Sequence, residues 1–552
     1  MKTSILYAIT AALLCLPSEV IAQIRLPFAR QSTGSQPATQ RRSFPIDFFG
    51  AEATYIVNAT VGIPPQNLSF ALTLSADESW VPDTEYCDPD YTSLRSGGCV
   101  YGSYNHNESS TFVRPGTGSF SASYLDGNYA YGDRIRETMG FGDGSSVSNL
   151  TMGLAQQAYK WMGVMALGFN DTYSEVPNLP DRMLAEGLIN STAYSLWIND
   201  EDAASGNLLF GAVDKAAFDG ALKRFSTDRQ HYSSGYSYSY STTFDVYIQG
   251  LNASQTADAS LTPLIQNTTA LPMVTIDPTF SVSVLPEDIA TAIWALAGAT
   301  YDESWDNAII PCSYRDNVTA RLALQLDSVG VDGGPILNVP VADLILSEDV
   351  WIYEDYDYDY DTSTNWCMFG VQTTNGTSYT YSAFEDNWAL GGGMLKRQYM
   401  VFDLANEEVA MAPVKFTSAQ TSVEDVVPFS VYGAKIPEST GDDSKCYADD
   451  DCSSSSSTSR GGSSDGSDDS DSLSRDLIGM IAGFSVLGAV MLGFAIWGIV
   501  QCCRDNSKYG PNAVMAEKGA LKPEAASVQA NATTQQEAQS HAPPPLPARH
   551  ET

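Results

Sequence analysis

The chain has 552 residues, with 66 acidic against 29 basic side chains and a formal charge of −37. That sign argues against nucleic acid as a partner and suits a protein that stays soluble in an acidic compartment. Four histidines and no Cys/His cluster at metal-ligand spacing leave no metal or cofactor to expect.

Residues 1–22 read as a secretory signal peptide. Lys2 supplies the positive end, Ile5 to Leu16 is almost unbroken apolar, and Val20-Ile21-Ala22 offers small-residue cleavage. The apolar run is too short to span a bilayer. Residues 23–43 form a short, polar, pro-like segment with Arg41-Arg42 as a candidate dibasic processing site. From 44 to 416 the texture is short alternating apolar runs, such as Tyr55-Ile56-Val57, Phe70 to Leu74, Asn207 to Phe210 and Phe244 to Ile248. Period-two runs between frequent turns predict a mainly β fold. The clearest helix is predicted over Glu287–Ala297, opened by Pro286. This stretch is large for one core, so two β lobes are expected, at 44–225 and 226–416. Two tyrosine-rich insertions interrupt the pattern, His231 to Tyr240 and Tyr353 to Asp361. The second reads as an exposed, self-repelling loop, since no Gly and Glu complete a calcium-loop pattern.

From Thr417 apolar periodicity fades, and Ser453 to Ser474 is nearly all Ser, Gly and Asp, so 417–476 is expected to be a flexible stalk. Leu477 to Val500 carries no charge. As a helix it would run about 36 Å against a hydrocarbon core of about 30 Å, enough to cross. Arg504 and Lys508 after the span place the tail, 501–552, in the cytoplasm. A single-pass type I membrane protein of the cell surface or another secretory membrane is the expectation. Cys502-Cys503 at the membrane edge are either a palmitoylation pair or idle thiols. Gly479 and Gly483 are either a helix-pairing face or lipid-facing glycine. Pro544, Pro547 and Arg549 fit a proline ligand of SH3 domains, an expectation weighed against chance occurrence of so short a motif.

Cys87, Cys99, Cys312, Cys367, Cys446 and Cys452 are an even set in an oxidising space, and pairing by neighbours is the simplest scheme. Ten Asn-X-Ser/Thr acceptors fit a glycosylated surface domain: Asn58, Asn67, Asn107, Asn149, Asn170, Asn190, Asn252, Asn267, Asn317 and Asn375.

Several segments follow one another in the order of a known family. They include Tyr55 to Gln66 ending Val61-Gly62-Ile63-Pro64-Pro65-Gln66, Trp80-Val81-Pro82 with Cys87 and Cys99, and Ser109-Ser110-Thr111-Phe112. Tyr124-Leu125-Asp126-Gly127, Gly163 to Gly168, Gly206 to Gly211, and Leu285-Pro286 follow. Cys312 with Cys367 and the closing run Trp388 to Asp403 complete the set. Together these resemble the pepsin-like aspartic peptidases over nearly the whole outer domain. The resemblance implies a bilobal pepsin-like fold, a peptide or protein ligand in the interlobe cleft, and Tyr124 as the flap tyrosine, to be weighed against a packed β tyrosine. It also implies two carboxylates, one per lobe, sharing one proton across a water. The ionised member deprotonates the water and the protonated one donates to the peptide carbonyl.

Here the sequence departs from that pattern. The first catalytic position falls on Thr73, in Thr73-Leu74-Ser75, and a hydroxyl does not ionise at acid or neutral pH. Asp77 lies four residues further, about 13 Å along a strand. The second position falls on Asp277, in Asp277-Pro278-Thr279, where the usual glycine is gone and Pro278 fixes φ. The leading expectation is a non-catalytic ectodomain that binds peptides or proteins or signals through its tail. The rivals are an active acid endopeptidase anchored to a membrane, and a glycosylated spacer with an idle cleft.

Overall fold

The computed structural model describes residues 24–31 and 54–449, except for 88–98, 100, 117, 125–127, 159, 161, 171–175, 200, 202–204, 230, 235–236, 265–271, 304–305, 328–332, 347–364, 374–387, 417–424, 442–444 and 446. The expected signal peptide, membrane span and tail lie outside the described residues, as do Cys446, Cys452, Asn267, Asn375, Pro544, Pro547, Arg549 and the run 353–361. Among the described residues no helix is long and apolar enough to cross a membrane.

The protein is mainly β. Strands β1 (Ile24–Gln31), β2 (Thr54–Val61), β3 (Gln66–Thr73), β4 (Trp80–Pro82), β5 (Ser119–Ser123), β6 (Tyr129–Gly140), β7 (Ser146–Ala158), β8 (Gly163–Ala166), β9 (Tyr194–Ile198) and β10 (Ser205–Phe210) belong to one fourteen-stranded sheet. In β2 the residues Tyr55, Val57, Ala59 and Val61 are buried while Asn58 is exposed, the period-two signature of a half-buried strand. Gln398–Asp403 and Glu408–Pro413 join the same sheet through β9, with Val401 facing Ser195. An eight-stranded sheet is built from later residues, including Asp245–Ser254, Met273–Ile276, Arg321–Asp327 and Trp388–Leu390.

The single long helix among the described residues is Glu287–Ala297, bounded as its sequence predicts. It buries Ile289, Ala290, Ile293, Trp294 and Ala297 on one face. Gly298, at φ 79°, closes it in the left-handed conformation that favours glycine. Cys87–Cys99 and Cys312–Cys367 are disulfides with Cα separations of 5.6 and 5.0 Å. Tyrosine-rich His231 to Tyr240 forms a hairpin, His231–Ser234 against Ser237–Tyr240.

Within the expected pro-like segment 23–43, Ile24–Gln31 is a strand of the central sheet. Its apolar alternation at Ile24, Leu26 and Phe28 was masked by the polar residues that follow. The stalk does not begin at 417. Val426–Pro428 pairs with Ala212–Asp214, Ser439–Thr440 pairs with Leu222–Lys223, and Phe429, Ala434, Ile436 and Tyr447 are buried. Strands of two or three residues carry no readable period, which is why this clasp looked like linker.

Candidate active site

β3 ends at Thr73 and the chain turns back into β4. β8 runs between the two arms, parallel to β3 with Thr73 opposite Ala166, and antiparallel to β4 with Trp80 opposite Val164. The later half repeats the device. Met273–Ile276 ends just before Asp277, and Trp388–Leu390 runs parallel to it and antiparallel to Ser283–Val284. Two loops, 74–79 and 277–282, thus meet at similar strand ends.

Close packing fixes both. The Thr73 carbonyl accepts from the Leu167 N–H at 2.9 Å, and the Ala76 carbonyl from the Gly168 N–H at 2.8 Å. A Cβ on Gly168 would stand 2.5 to 2.8 Å from the carbonyl oxygens of Thr242, Ala76 and Leu74, so only glycine fits there. Thr242 crosses from the other half, its hydroxyl donating to the Ser75 carbonyl at 3.0 Å. In the second loop the Asp277 N–H donates to the Leu390 carbonyl at 3.1 Å, and the Phe280 N–H donates back to the Asp277 carbonyl at 3.1 Å. Beneath lies an aromatic floor: Phe402 packs on Tyr194 and Phe244 at centroid distances of 5.3 and 4.8 Å, and Phe244 on Phe169 at 4.5 Å. Burying rings of this size contributes about 2 kcal/mol each.

Thr73 Oγ1 lies 2.9 Å from Ser75 Oγ and accepts the Ser75 N–H at 3.3 Å. Asp277 Oδ1 accepts the Thr279 N–H at 3.0 Å and the Thr279 hydroxyl at 2.5 Å. Asp277 is 0% exposed and its Oδ2 has no hydrogen-bond partner. Burial pushes the Asp277 carboxyl up. The Thr279 hydroxyl and N–H, the Leu74 N–H and the Ser75 hydroxyl oppose that rise. The last two approach from the other loop, though neither makes a hydrogen bond of normal geometry to Oδ2. The structure therefore brings Thr73, Ser75 and Asp277 to one place. The hydroxyls of Ser75 and Thr279 stand where a bare glycine turn would leave room. Both were legible as residues, and an oxygen side chain followed two positions later by a hydroxyl is the signal of such a turn.

Asp77 is engaged elsewhere. Its charge acts on Glu78 and Arg134, which form a fork at 2.7 and 2.8 Å between loop 74–79 and β6. Burial raises the Glu78 carboxyl even against that guanidinium. Sequence reasoning missed this pair, which no local pattern announces.

Tyr124 is 6% exposed and packs among Ala71, Trp80, Phe120 and Ala130. Its hydroxyl accepts from Trp80 Nε1 at 2.6 Å, and Lys160 Nζ lies 4.6 Å from its ring centroid. Leu125, Asp126 and Gly127 fall outside the described residues.

Paired strand-loop-strand units meeting over one floor, with Asp277 in the second, fit one peptidase architecture. A family model described as eukaryotic aspartyl protease matches residues 54–414. The chain belongs to the eukaryotic aspartyl protease family. Similar family members include "Probable aspartic-type endopeptidase OPSB" of Arthroderma benhamiae, 26% identical over 450 residues that cover 76% of this chain and 82% of that protein. "Aspartic proteinase yapsin-3" of Saccharomyces cerevisiae is 28% identical over 423 residues, 73% of this chain and 74% of its own. "Barrierpepsin" of the same yeast is 26% identical over 419 residues, 70% of this chain and 65% of its own.

In this aspartyl protease homologue the candidate glycan acceptors sort by exposure. Asn58, Asn67, Asn107, Asn149 and Asn317 are exposed. Asn252 is half-buried, as are Asn170 and Asn190, whose amide nitrogens donate to Asp181 and to the Phe429 carbonyl.

Proposed function

We propose that this protein is a non-hydrolytic member of its family: a membrane-anchored ectodomain that binds an extended peptide or protein segment in the cleft between its halves. The observation that carries the reading is what reaches Asp277 from the other loop. Family chemistry needs a second carboxylate there, and the groups that act on Asp277 are the Ser75 hydroxyl, itself 2.9 Å from Thr73 Oγ1, and the amide of Leu74. An alcohol does not take a proton from water at acid pH, so the water-activating step lacks its base. The hydroxyl of Thr279 also occupies one face of the remaining carboxyl.

In this reading the signal peptide 1–22 leads the chain into the secretory pathway and 477–500 holds it in a membrane as a single-pass type I protein. Glycans sit on Asn58, Asn67, Asn107, Asn149 and Asn317. The cytoplasmic tail recruits an SH3-domain protein through Pro544, Pro547 and Arg549. Changing Pro547 and Arg549 to Ala then abolishes that recruitment without altering ligand binding outside.

A second reading, an acid endopeptidase, is favoured by the printed names of the relatives and by the retention of Asp277. Incubating the purified protein with an unbiased peptide library at several pH values from 3 to 6 separates the two. Non-hydrolytic binding predicts retention of a subset of peptides with none cleaved. Cleavage that pepstatin blocks would sink the first reading.

A further inference from the structure

Lys160 sets a positive charge on an otherwise apolar corner of the first half. Its Nζ lies 4.6 Å from the centroid of the Tyr124 ring, and the Tyr124 hydroxyl is held by Trp80 Nε1 at 2.6 Å. The ring packs with Ala71, Ala76, Trp80, Phe120 and Met162, none of which carries a charge. Ala76 belongs to the loop 74–79, so this corner adjoins the loop that brings Ser75 to Asp277.

The position of Lys160 is fixed from both sides. Ala158, two residues before it, and Met162, two after, are buried at 0% and 4% exposure. β8 then starts at Gly163, where a Cβ would stand 2.8 Å from the Trp80 carbonyl oxygen, so the chain enters pressed against β4. Lys160 itself is half-buried. An ammonium over a ring face is attracted by the ring's quadrupole, which favours keeping the charge there.

The formal charge of −37 sets the opposite expectation for the molecule as a whole, since its field draws cations. At the Tyr124 ring the local sign is reversed. Of the acids in the neighbouring loop, Glu78 forks to Arg134, and the charge of Asp77 acts on that pair. Against apolar walls a charge is weakly screened, so a carboxylate is attracted, and a second cation repelled, more strongly than in water. A lysine ammonium has three N–H donors and can serve a ring and a carboxylate at once. A cationic ligand side chain would also have to compete for the ring face that Lys160 covers.

We propose that Lys160 is a specificity-determining residue: the cleft wall beside Tyr124 selects an acidic side chain, Asp or Glu, in the bound peptide. The proposal rests on the reading of the cleft as a peptide-binding site and adds which peptides it takes.

The test uses the full-length protein in detergent and a peptide library whose members recur with Glu, Gln or Lys at each position. Binding is measured near pH 6, where a ligand carboxylate is ionised. Retained peptides are expected to share an acidic residue at one position. Its change to Gln is expected to weaken binding about tenfold, with Lys weaker still. In Lys160→Met the Glu and Gln versions are expected to bind alike, and in Lys160→Glu the order is expected to reverse in favour of Lys. Melting curves check that each form is folded. Should neither variant fold, salt decides: the preference of the unsubstituted protein for Glu over Gln must shrink as ionic strength rises. Peptides retained without an acidic preference, or a preference that survives Lys160→Met or high salt, overturn the proposal and leave the binding reading standing. No retained peptide at all overturns both.

Discussion

At the end of β3 the Thr73 oxygen takes the N–H of Ser75 and sits against its hydroxyl. At the end of Met273–Ile276 the Asp277 oxygen takes the N–H of Thr279 and sits against its hydroxyl. The two loops use one hydrogen-bond pattern and differ in whether the accepting oxygen belongs to an alcohol or an acid. The comparison separates two demands on the position. Folding needs an acceptor for the N–H two residues on, and threonine meets that as well as aspartate. Hydrolysis needs a group that ionises at that position, and of Thr73 and Asp277 only Asp277 does. The architecture can therefore outlast the chemistry.

The largest effect is expected from making the two loops alike. Thr73→Asp with Ser75→Gly, Pro278→Ser and Thr279→Gly supplies the missing acid and restores small or ordinary residues around both. Cleavage of a fluorogenic peptide near pH 4 is expected to be absent in the parent, to appear in this variant and to be blocked by pepstatin. A folded variant that stays silent would mean the cleft has diverged beyond these loops.

Next in size is the pH dependence, which Asp277 has and Thr73 lacks. The background must be set first, because Asp403 is buried near Glu408 and its carboxyl is pushed up to about 6. The folded state keeps that proton where the unfolded chain, at the ordinary 3.8, has lost it. Stability therefore rises as pH falls from about 6 toward 3.8, by up to about 3 kcal/mol. Asp403→Asn is expected to remove this slope in urea titrations at pH 4 and 7. In that background Asp277→Asn is expected to lessen the slope further, since burial raises Asp277 in the same direction, while Glu78, Asp181, Asp245 and Glu408, raised likewise, keep the remainder. Thr73→Val is expected to leave the slope untouched.

The smallest effect breaks the first loop alone. Thr73→Val keeps the shape but leaves the buried Ser75 N–H without its acceptor, a loss of about 1–2 kcal/mol at every pH. A pH-dependent loss would mean that Thr73 and Asp277 share a proton network, and the contrast between the loops would fail.

Much of this was legible in the sequence because it is local. The helix Glu287–Ala297 announces itself by Pro286, its apolar spacing and Gly298, and each of the two disulfides joins one cysteine to the next cysteine along the sequence. Thr73 and Asp277 could be located by their distances from Trp80 and Pro286. What faces Asp277 could not be read, because Leu74 and Ser75 reach it only through the meeting of segments some 200 residues apart in sequence. The Glu78–Arg134 fork is hidden for the same reason. β1 and the clasp of 426–447 were missed for a different one: brief strands surrounded by polar residues have too few positions to show a period.

The clasp also governs how a mechanical load would pass through the molecule. Tension applied beyond Asp449 first meets Tyr447, whose hydroxyl holds Glu408 at 2.7 Å and whose ring lies 4.7 Å from the Arg224 guanidinium. It then meets the ladder of Ser439–Thr440 on Leu222–Lys223, and last that of Val426–Pro428 on Ala212–Asp214. The clasp would have to peel off step by step before the strain reached the strands that carry Thr73 and Asp277. A tug on the C-terminal side would thus act on these ladders before the loops at Thr73 and Asp277.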